Sequence, residues 1–310
     1  MPNSLAHIGL GGPATRLLLK DADVKWILVG CILPDVPWIL QRVVHAIAPA
    51  IDPYSLLFYV TIQGSLAFCL LLGAALAALS SRFGRTWTIL GLNSLLHLLL
   101  DACEIKWASG VHLFAPFSWK FLSFGIFWLE GPVVYSLTIL GLVFIVATWR
   151  RAVATPPDLS FRCRMCVTMS AVFLTAYLVL PFVFLRGPQR ADNHFAGTLL
   201  ARSERPGRYV EFDRAIYVPG ATGDVLRIFS GEELQIEGVT NRQPSAISIR
   251  GTFVGESRVR AIEYRLNSNG FRNGASQLTL FLVALLWINS WWVGREPRTR
   301  ARKSDGALPR

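Results

Sequence analysis

Charge is scarce in this chain. Only 16% of its 310 residues are Asp, Glu, Lys or Arg, against 52% hydrophobic residues and a mean hydropathy of +0.41. That balance excludes an ordinary soluble domain of this length and points to an integral membrane protein. Cysteine is also sparse. Of the five, Cys31, Cys69 and Cys103 lie in apolar runs, where a thiol behaves as a small hydrophobe. The other two form Cys163-Arg-Met-Cys166, which has no second CxxC to complete a four-thiolate site and borders an apolar run, so a structural role is preferred to a metal or redox role. No Lys or Arg occurs between Pro2 and Leu10, so the basic-then-apolar order of a secretory signal is missing and no cleaved leader is expected. No inverted repeat is evident either, which weighs against a transporter.

What is present is a series of apolar runs. A bilayer-spanning helix needs about 20 mainly apolar residues. Residues 56–79, 87–103, 133–149, 165–185 and 278–293 meet or approach that length, giving about five spans. Residues 26–48 are also apolar but contain Pro34, Asp35 and Pro37, which remove backbone donors in mid-run. This segment reads as a broken, re-entrant pair of half-helices, with a Pro-kinked span as the competing reading. The re-entrant form is preferred because it would leave His7, Asp35 and Asp101 on one side of the membrane.

The net charge of +11 comes from 31 Lys+Arg against 20 Asp+Glu. In a membrane protein such an excess reports topology rather than nucleic-acid binding, and no nucleic-acid partner is expected. Arginines fall at 82 and 85, at 150, 151, 162 and 164, and again after residue 294. Counting five spans, these segments share one side, the cytoplasmic one by the positive-inside rule. The expected location is a membrane, crossed several times, with lipids as the surroundings. Residues 295–310 carry six basic side chains against Glu296 and Asp305 and read as a basic, disordered cytoplasmic tail. Tryptophans at 26, 38, 87, 107, 119, 128, 149, 291 and 292 fall near the ends of apolar runs and read as an aromatic belt.

Between residues 186 and 276 the texture changes to period-two alternation, as in Val210/Phe212, Leu226/Ile228, Leu234/Ile236, Ile247/Ile249 and Ile262/Tyr264/Leu266. Turns are marked by Pro219-Gly220, Ser230-Gly231 and Asn269-Gly270. An extracytoplasmic antiparallel β domain of this extent is expected, inserted before the last helix. Its 13 Arg against 10 Asp+Glu are nearly balanced. The expected organisation is a helical membrane domain over residues 1–185, the β domain over 186–276, a final membrane helix over 277–294 and the tail.

The most telling residues are polar ones in apolar company. His97 and Asp101 are four apart inside the run 87–103, so on a helix they share a face one turn apart and can grip one ion. An aspartate at a helix centre in a membrane costs on the order of 3 kcal/mol, so a compensating partner is expected. A divalent metal would be such a partner. Asp35 and His7 are the further candidates, with His112 in reserve, and His194 has no evident partner.

His7 in its Gly-rich segment, Gly-Cys-Ile-Leu-Pro34-Asp35, His97-x-x-x-Asp101 and Ala115-Pro-Phe-Ser-Trp119 together resemble the bacterial inner-membrane metal-dependent hydrolase family typified by the YdjM protein. The resemblance covers about residues 1–150. That family is thought to relate distantly to zinc-dependent phospholipases C and P1-type nucleases. The resemblance implies a bacterial inner-membrane location and a divalent cofactor, zinc as in such relatives, with His7, Asp35, His97 and Asp101 as ligands and Ser118 in the loop capping the site. The chain departs from the family where a Thr-His-Ser segment is usual and Thr61-Ile-Gln63-Gly64-Ser65 stands here.

Zinc held by His and Asp lowers the pKa of bound water to about 7 and polarises a phosphoryl or acyl oxygen. A carboxylate outside the ligand set would then serve as general base, with Asp35 or Glu130 as candidates. Two classes of function follow: a membrane-embedded hydrolase acting on a phosphoester or lipid headgroup near the membrane surface, or a non-catalytic scaffold displaying the β domain.

Overall fold

The computed structural model describes residues 3–108, 110–159, 161, 163–191, 194–221, 223–268 and 270–293. The basic tail therefore lies outside the described residues, as does Asn269 of the expected Asn-Gly turn.

The chain begins with α1 (Ser4–Leu18), capped by the Asn3 side chain, which accepts from Ala6 N–H. A short turn leads to α2 (Val24–Ile32), a single 3-10 turn (Leu33–Asp35) and α3 (Val36–Ile47). Then come α4 (Pro53–Gln63), α5 (Leu66–Ala77), α6 (Phe83–Cys103), α7 (Pro132–Ala154) and α8 (Arg164–Val179). The short α9 (Pro181–Phe184), α10 (Arg186–Ala191) and α11 (Ala196–Leu200) lead into a β domain, and α12 (Gly270–Val293) follows it. Among the described residues five helical stretches are long and apolar enough to cross a membrane: Val24–Ile47, Phe83–Cys103, Pro132–Ala154, Arg164–Phe184 and Gly270–Val293. This fits a multi-pass membrane protein.

Two expectations about broken helices exchange places. Val24–Ile47 runs through as one candidate span, because Pro34 and Pro37 each sit in the first turn of a helical segment, where the missing N–H has no intrahelical partner to lose. The break falls instead within residues 56–79, expected as a single span: α4 and α5 meet at 70° across Gly64 and Ser65. No proline causes it. Ser65 is extended, with ψ 160°, and its hydroxyl donates to the Ala115 carbonyl at 3.4 Å, while the Gln63 amide donates to Tyr59 Oη at 3.1 Å and the Tyr177 carbonyl at 3.4 Å. Tertiary partners for the freed polar groups stabilise a bend that local sequence does not announce.

The glycine-rich start of the chain is a packed helix. Gly9 lies against the Leu137–Gly141 stretch of α7, and a Cβ at Gly9 would overlap the Leu137 carbonyl oxygen, just as one at Gly141 would overlap that of Leu5. Small residues facing each other let two helix backbones touch, the usual device where lipid removes a hydrophobic drive between helices. Polar bonds add to this contact. Asn3 donates to Thr138 Oγ1 on α7 at 2.9 Å, and Asn93 Oδ1 on α6 accepts from Thr15 Oγ1 at 3.1 Å and from Cys31 Sγ at 3.2 Å.

The β domain is a closed five-stranded barrel in the order β1 (Tyr209–Val218), β2 (Asp224–Arg227), β3 (Glu233–Glu237), β5 (Arg258–Asn267), β4 (Ser245–Gly255). The expectation of an antiparallel arrangement is corrected at one seam, where β3 and β5 pair in parallel and so close the barrel. Closure removes exposed edges, which a lone small sheet would leave open. Inward residues include Val210, Phe212, Tyr217, Leu234, Ile236, Ile249 and Phe253, all buried. Arg205 is fully buried beside the barrel core: both of its terminal guanidinium nitrogens pair with Glu232, at 2.7 and 3.0 Å, and it donates to the Leu199 carbonyl.

Candidate metal centre

The hairpin of α1 and α2 explains why His7 and Asp35 meet. Twelve residues of α1 and its turn separate His7 from Leu19, and twelve residues separate Asp23 from Asp35, so a helix running in and a helix running back bring the two to the same depth. Meeting of the polar residues therefore does not need a re-entrant 26–48 segment. Against this hairpin α6 presents His97 and Asp101 one turn apart, as their spacing expects.

The result is a buried group. The His7 and His97 rings stack with centroids 3.4 Å apart and planes 4° from parallel. His7 Nε2 lies 3.5 Å from Asp101 Oδ1, and His97 Nε2 lies 3.5 Å from Asp101 Oδ2 and 3.6 Å from Asp35 Oδ1. His7, His97 and Asp101 each offer a ligand atom, all within 4.8 Å of one another, and the group can hold a metal ion. All four residues expected from sequence are thus brought together.

The donor chemistry fits a cation. His97 Nδ1 lies 2.6 Å from the Cys31 carbonyl, which makes it the protonated nitrogen and turns the Nε2 lone pair toward the carboxylates. A backbone carbonyl in that place is the usual outer partner of a metal-binding imidazole, fixing tautomer and ring orientation. His97 Nε2 and Asp101 Oδ1 are buried and make no hydrogen bond. Their separations exceed good hydrogen-bond lengths of about 2.7–3.2 Å. Ligands about 2.0–2.1 Å from a common tetrahedral centre stand about 3.4 Å apart, close to the three nitrogen–oxygen separations of 3.5, 3.5 and 3.6 Å here. Two carboxylates and two neutral imidazoles also carry the charge that one divalent ion cancels. Ser4 Oγ, 3.3 Å from Asp35 Oδ2, holds the more weakly engaged carboxylate in place.

Two cavities reach this group. A small one of about 50 Å³ touches Asp101 and is lined by Glu104, Lys106 and His112, with Thr61 and Gly64 from the α4–α5 break. Glu104 is a buried carboxylate one turn beyond Asp101 that sequence reasoning did not single out. Burial works to lower Lys106, but Glu104, Asp101 and Asp213 outweigh it and hold its ammonium above the ordinary value. A larger cavity of about 300 Å³ reaches Asp35 from between α3 and α12.

The remaining candidates have other surroundings. Glu130 Oε1 is ion-paired to Arg214 of the barrel at 2.7 Å, and neither Glu130 nor Ser118 lines the cavity at Asp101. Ser118 belongs to a turn in which its N–H donates to the Phe114 carbonyl at 3.0 Å. His112 is buried, its Nδ1 3.0 Å from the Trp119 carbonyl, and burial pushes its imidazole down to about 4. The Gln63 amide turns toward Tyr59 and Tyr177, although its neighbours Thr61 and Gly64 line the cavity. His194 meets Tyr209 edge-on, with centroids 5.5 Å apart, so it does have a partner. Cys163 caps α8, its Sγ accepting from Cys166 N–H at 3.3 Å, which accounts for the CxxC structurally. Comparisons with protein-family models, with curated proteins and with solved structures return no match.

Proposed function

We propose that this chain is a membrane-embedded, metal-dependent hydrolase of the bacterial inner membrane, acting on a phosphoester or lipid headgroup. The observation that carries the reading is the buried group of His7, His97 and Asp101, whose ligand atoms all lie within 4.8 Å of one another, with Asp35 3.6 Å from His97. His7, His97 and Asp101 would hold the ion, with Asp35 as fourth ligand or base, and zinc suits that nitrogen and oxygen set. When bound, the ion supplies Lewis acidity toward a phosphoryl or acyl oxygen. Glu104, in the cavity at Asp101, is the better-situated candidate for moving a proton, and Lys106 offers a cation to developing negative charge. Arginine placement and the β domain's position before the last span favour an extracytoplasmic β domain and a cytoplasmic tail.

The scaffold alternative needs the histidines and aspartates only as inter-helix glue. That work is done by other residues: Asn93 joins α6 to α1 and α2, and Asn3 joins α1 to α7, at ordinary hydrogen-bond lengths. Elemental analysis of the detergent-purified protein tests the proposal. About one zinc per chain is expected, and a protein that carries no divalent metal and takes none up on addition would refute it.

A further inference from the structure

The larger cavity has a composition the metal-binding residues do not explain. Asp35, Ile39 and Arg42 lie on one face of α3, and across the gap stand Arg272, Ser276 and Leu280 on one face of α12. Ser4, bonded through its hydroxyl to Asp35 and through its N–H to Ser276 Oγ at 3.3 Å, closes the inner end. The slot therefore has a polar floor at the metal group, a wall that is partly apolar, and two guanidinium groups.

Among the described residues neither arginine is spent on a carboxylate. Among the described residues Arg42 has no ion pair, and the contact of Arg272 is with Asn273 Oδ1 at 3.4 Å. Were these arginines present to neutralise Asp35, a guanidinium would lie within 4 Å of it, as Arg214 does to Glu130. Arg42 is exposed and Arg272 half-buried, so both are open to a ligand from outside while lining the same cavity as Asp35. Arginine's planar fork is suited to a phosphate, which it can take bidentately. The apolar part of the wall is Ile39 on α3 and Leu280 on α12, and Leu280 is exposed on a helix that can face lipid.

We propose that the slot between α3 and α12 is a binding site for the phosphate of an anionic lipid-like molecule, held by Arg42 and Arg272, with its ester arm directed at Asp35 and its chains leaving past Ile39 and Leu280. The inference rests on the hydrolase reading for the fate of the bound molecule and stands apart from it for binding. Arg42 lies seven residues from Asp35, about 10 Å along the helix, which leaves length for a phosphate and a short ester arm between guanidinium and floor.

The test is titration of the full-length protein in detergent by calorimetry with three probes: dihexanoyl-phosphatidylglycerol, inorganic phosphate and dihexanoylglycerol. Saturable binding of the phosphatidylglycerol is expected, with inorganic phosphate weaker and the uncharged diglyceride weaker still. Inorganic phosphate binding as tightly as the lipid would keep the anion site and assign it to free phosphate. Each of Arg42→Gln and Arg272→Gln should weaken binding about tenfold or more, the loss of one charge-assisted bond, while Arg42→Lys and Arg272→Lys should lose less. Metal content and the unfolding transition of each variant establish that it is folded. Equal affinity for the diglyceride, or unchanged affinity in both glutamine variants, would overturn the proposal. Binding retained by a protein that holds no metal would sink the hydrolase reading and leave this site standing, whereas a metal-loaded protein without phosphate binding would do the reverse.

Discussion

Replacing Asp101 with asparagine separates a metal ligand from a structural hydrogen-bonding group. The amide keeps the size of the side chain and one carbonyl oxygen, so a bonded network between helices would survive it. What it removes is the charge between two imidazole nitrogens, each 3.5 Å away. Loss of an outer-shell partner alone typically weakens metal binding 10–100-fold, so loss of this central ligand should reach about 1,000-fold, or about 4 kcal/mol. The consequence for stability can be worked through. At free zinc 1,000 times the dissociation constant, the wild type gains about 4 kcal/mol from the bound ion, and a 1,000-fold weaker variant gains only about 0.4 kcal/mol. Thermal unfolding in detergent, with and without zinc, reads this difference, and elemental analysis of the same samples reads occupancy. The wild type should melt markedly higher with zinc, and Asp101→Asn should show almost no response. Equal zinc-dependent stabilisation of the two proteins would refute the reasoning, because the carboxylate would then contribute nothing to the ion.

Three further outcomes are expected. Gly9→Ala places a methyl group onto the Leu137 carbonyl, forcing α1 from α7; a destabilisation of about 1–3 kcal/mol should appear in detergent unfolding, along with lowered zinc content because His7 moves with α1. For His112 the folded value of about 4 lies below the ordinary value of 6.5, so its contribution is fully present above pH 6.5 and is lost as pH falls toward 4, about 3 kcal/mol in all. Hydrogen exchange at Val111 and Leu122, whose backbones bond to each other at 2.9 and 3.1 Å, should accelerate over that window in the wild type and stay flat in His112→Phe. Finally, a double-mutant cycle of Glu130→Gln and Arg214→Ala should give a coupling of about 0.5–3 kcal/mol in barrel stability with zinc content unchanged; a zinc loss on Glu130→Gln would tie that carboxylate to the metal group after all.

The sequence made the metal group legible because its signal is simple: an ionisable pair at i and i+4 in an apolar run has few reasons to exist. Asp35 stood out for the same reason. The helix breaks were less legible. Pro34 and Pro37 look disruptive as letters, yet each occupies a helix-start position, whereas the true bend at Gly64–Ser65 depends on Ala115, Tyr59 and Tyr177, none of them adjacent in sequence. Why the glycines of α1 are small is not legible locally, since the neighbours that require it are distant in sequence: Leu137 and Gly141 for Gly9, Asn93 and Cys31 for Gly11, and Phe144 for Gly12. In the β domain, alternation located the strands, but the parallel β3–β5 seam is a matter of closure and has no local signature. Glu104 was hidden because a charge just past a helix end is usually solvated.

The barrel bears on the metal centre through residues 104–131. Trp107 and Trp128, expected in an aromatic belt, pack edge to face with centroids 5.5 Å apart and are each covered by a barrel arginine, Arg250 at 4.7 Å and Arg265 at 4.2 Å. Ala108 N–H donates to Glu211 of β1 at 2.8 Å, and the bulge between Phe212 and Ala215, with Arg214 at φ 54°, aims that arginine at Glu130. Bulges commonly re-aim a side chain in this way. The same segment contributes Glu104, Lys106 and His112 to the cavity at Asp101. A loop pinned on one side by α6 and on the other by four barrel contacts holds those groups at fixed distances from the metal group, which free loop motion would not. The barrel thereby acts as a clamp on the outer wall of the site. Weakening that clamp, by Arg250→Ala with Arg265→Ala, should loosen the cavity wall while leaving His7, His97 and Asp101 in place, so hydrogen exchange should rise across residues 104–131 with zinc affinity unchanged; unaltered exchange there would show that the loop needs no barrel to hold it.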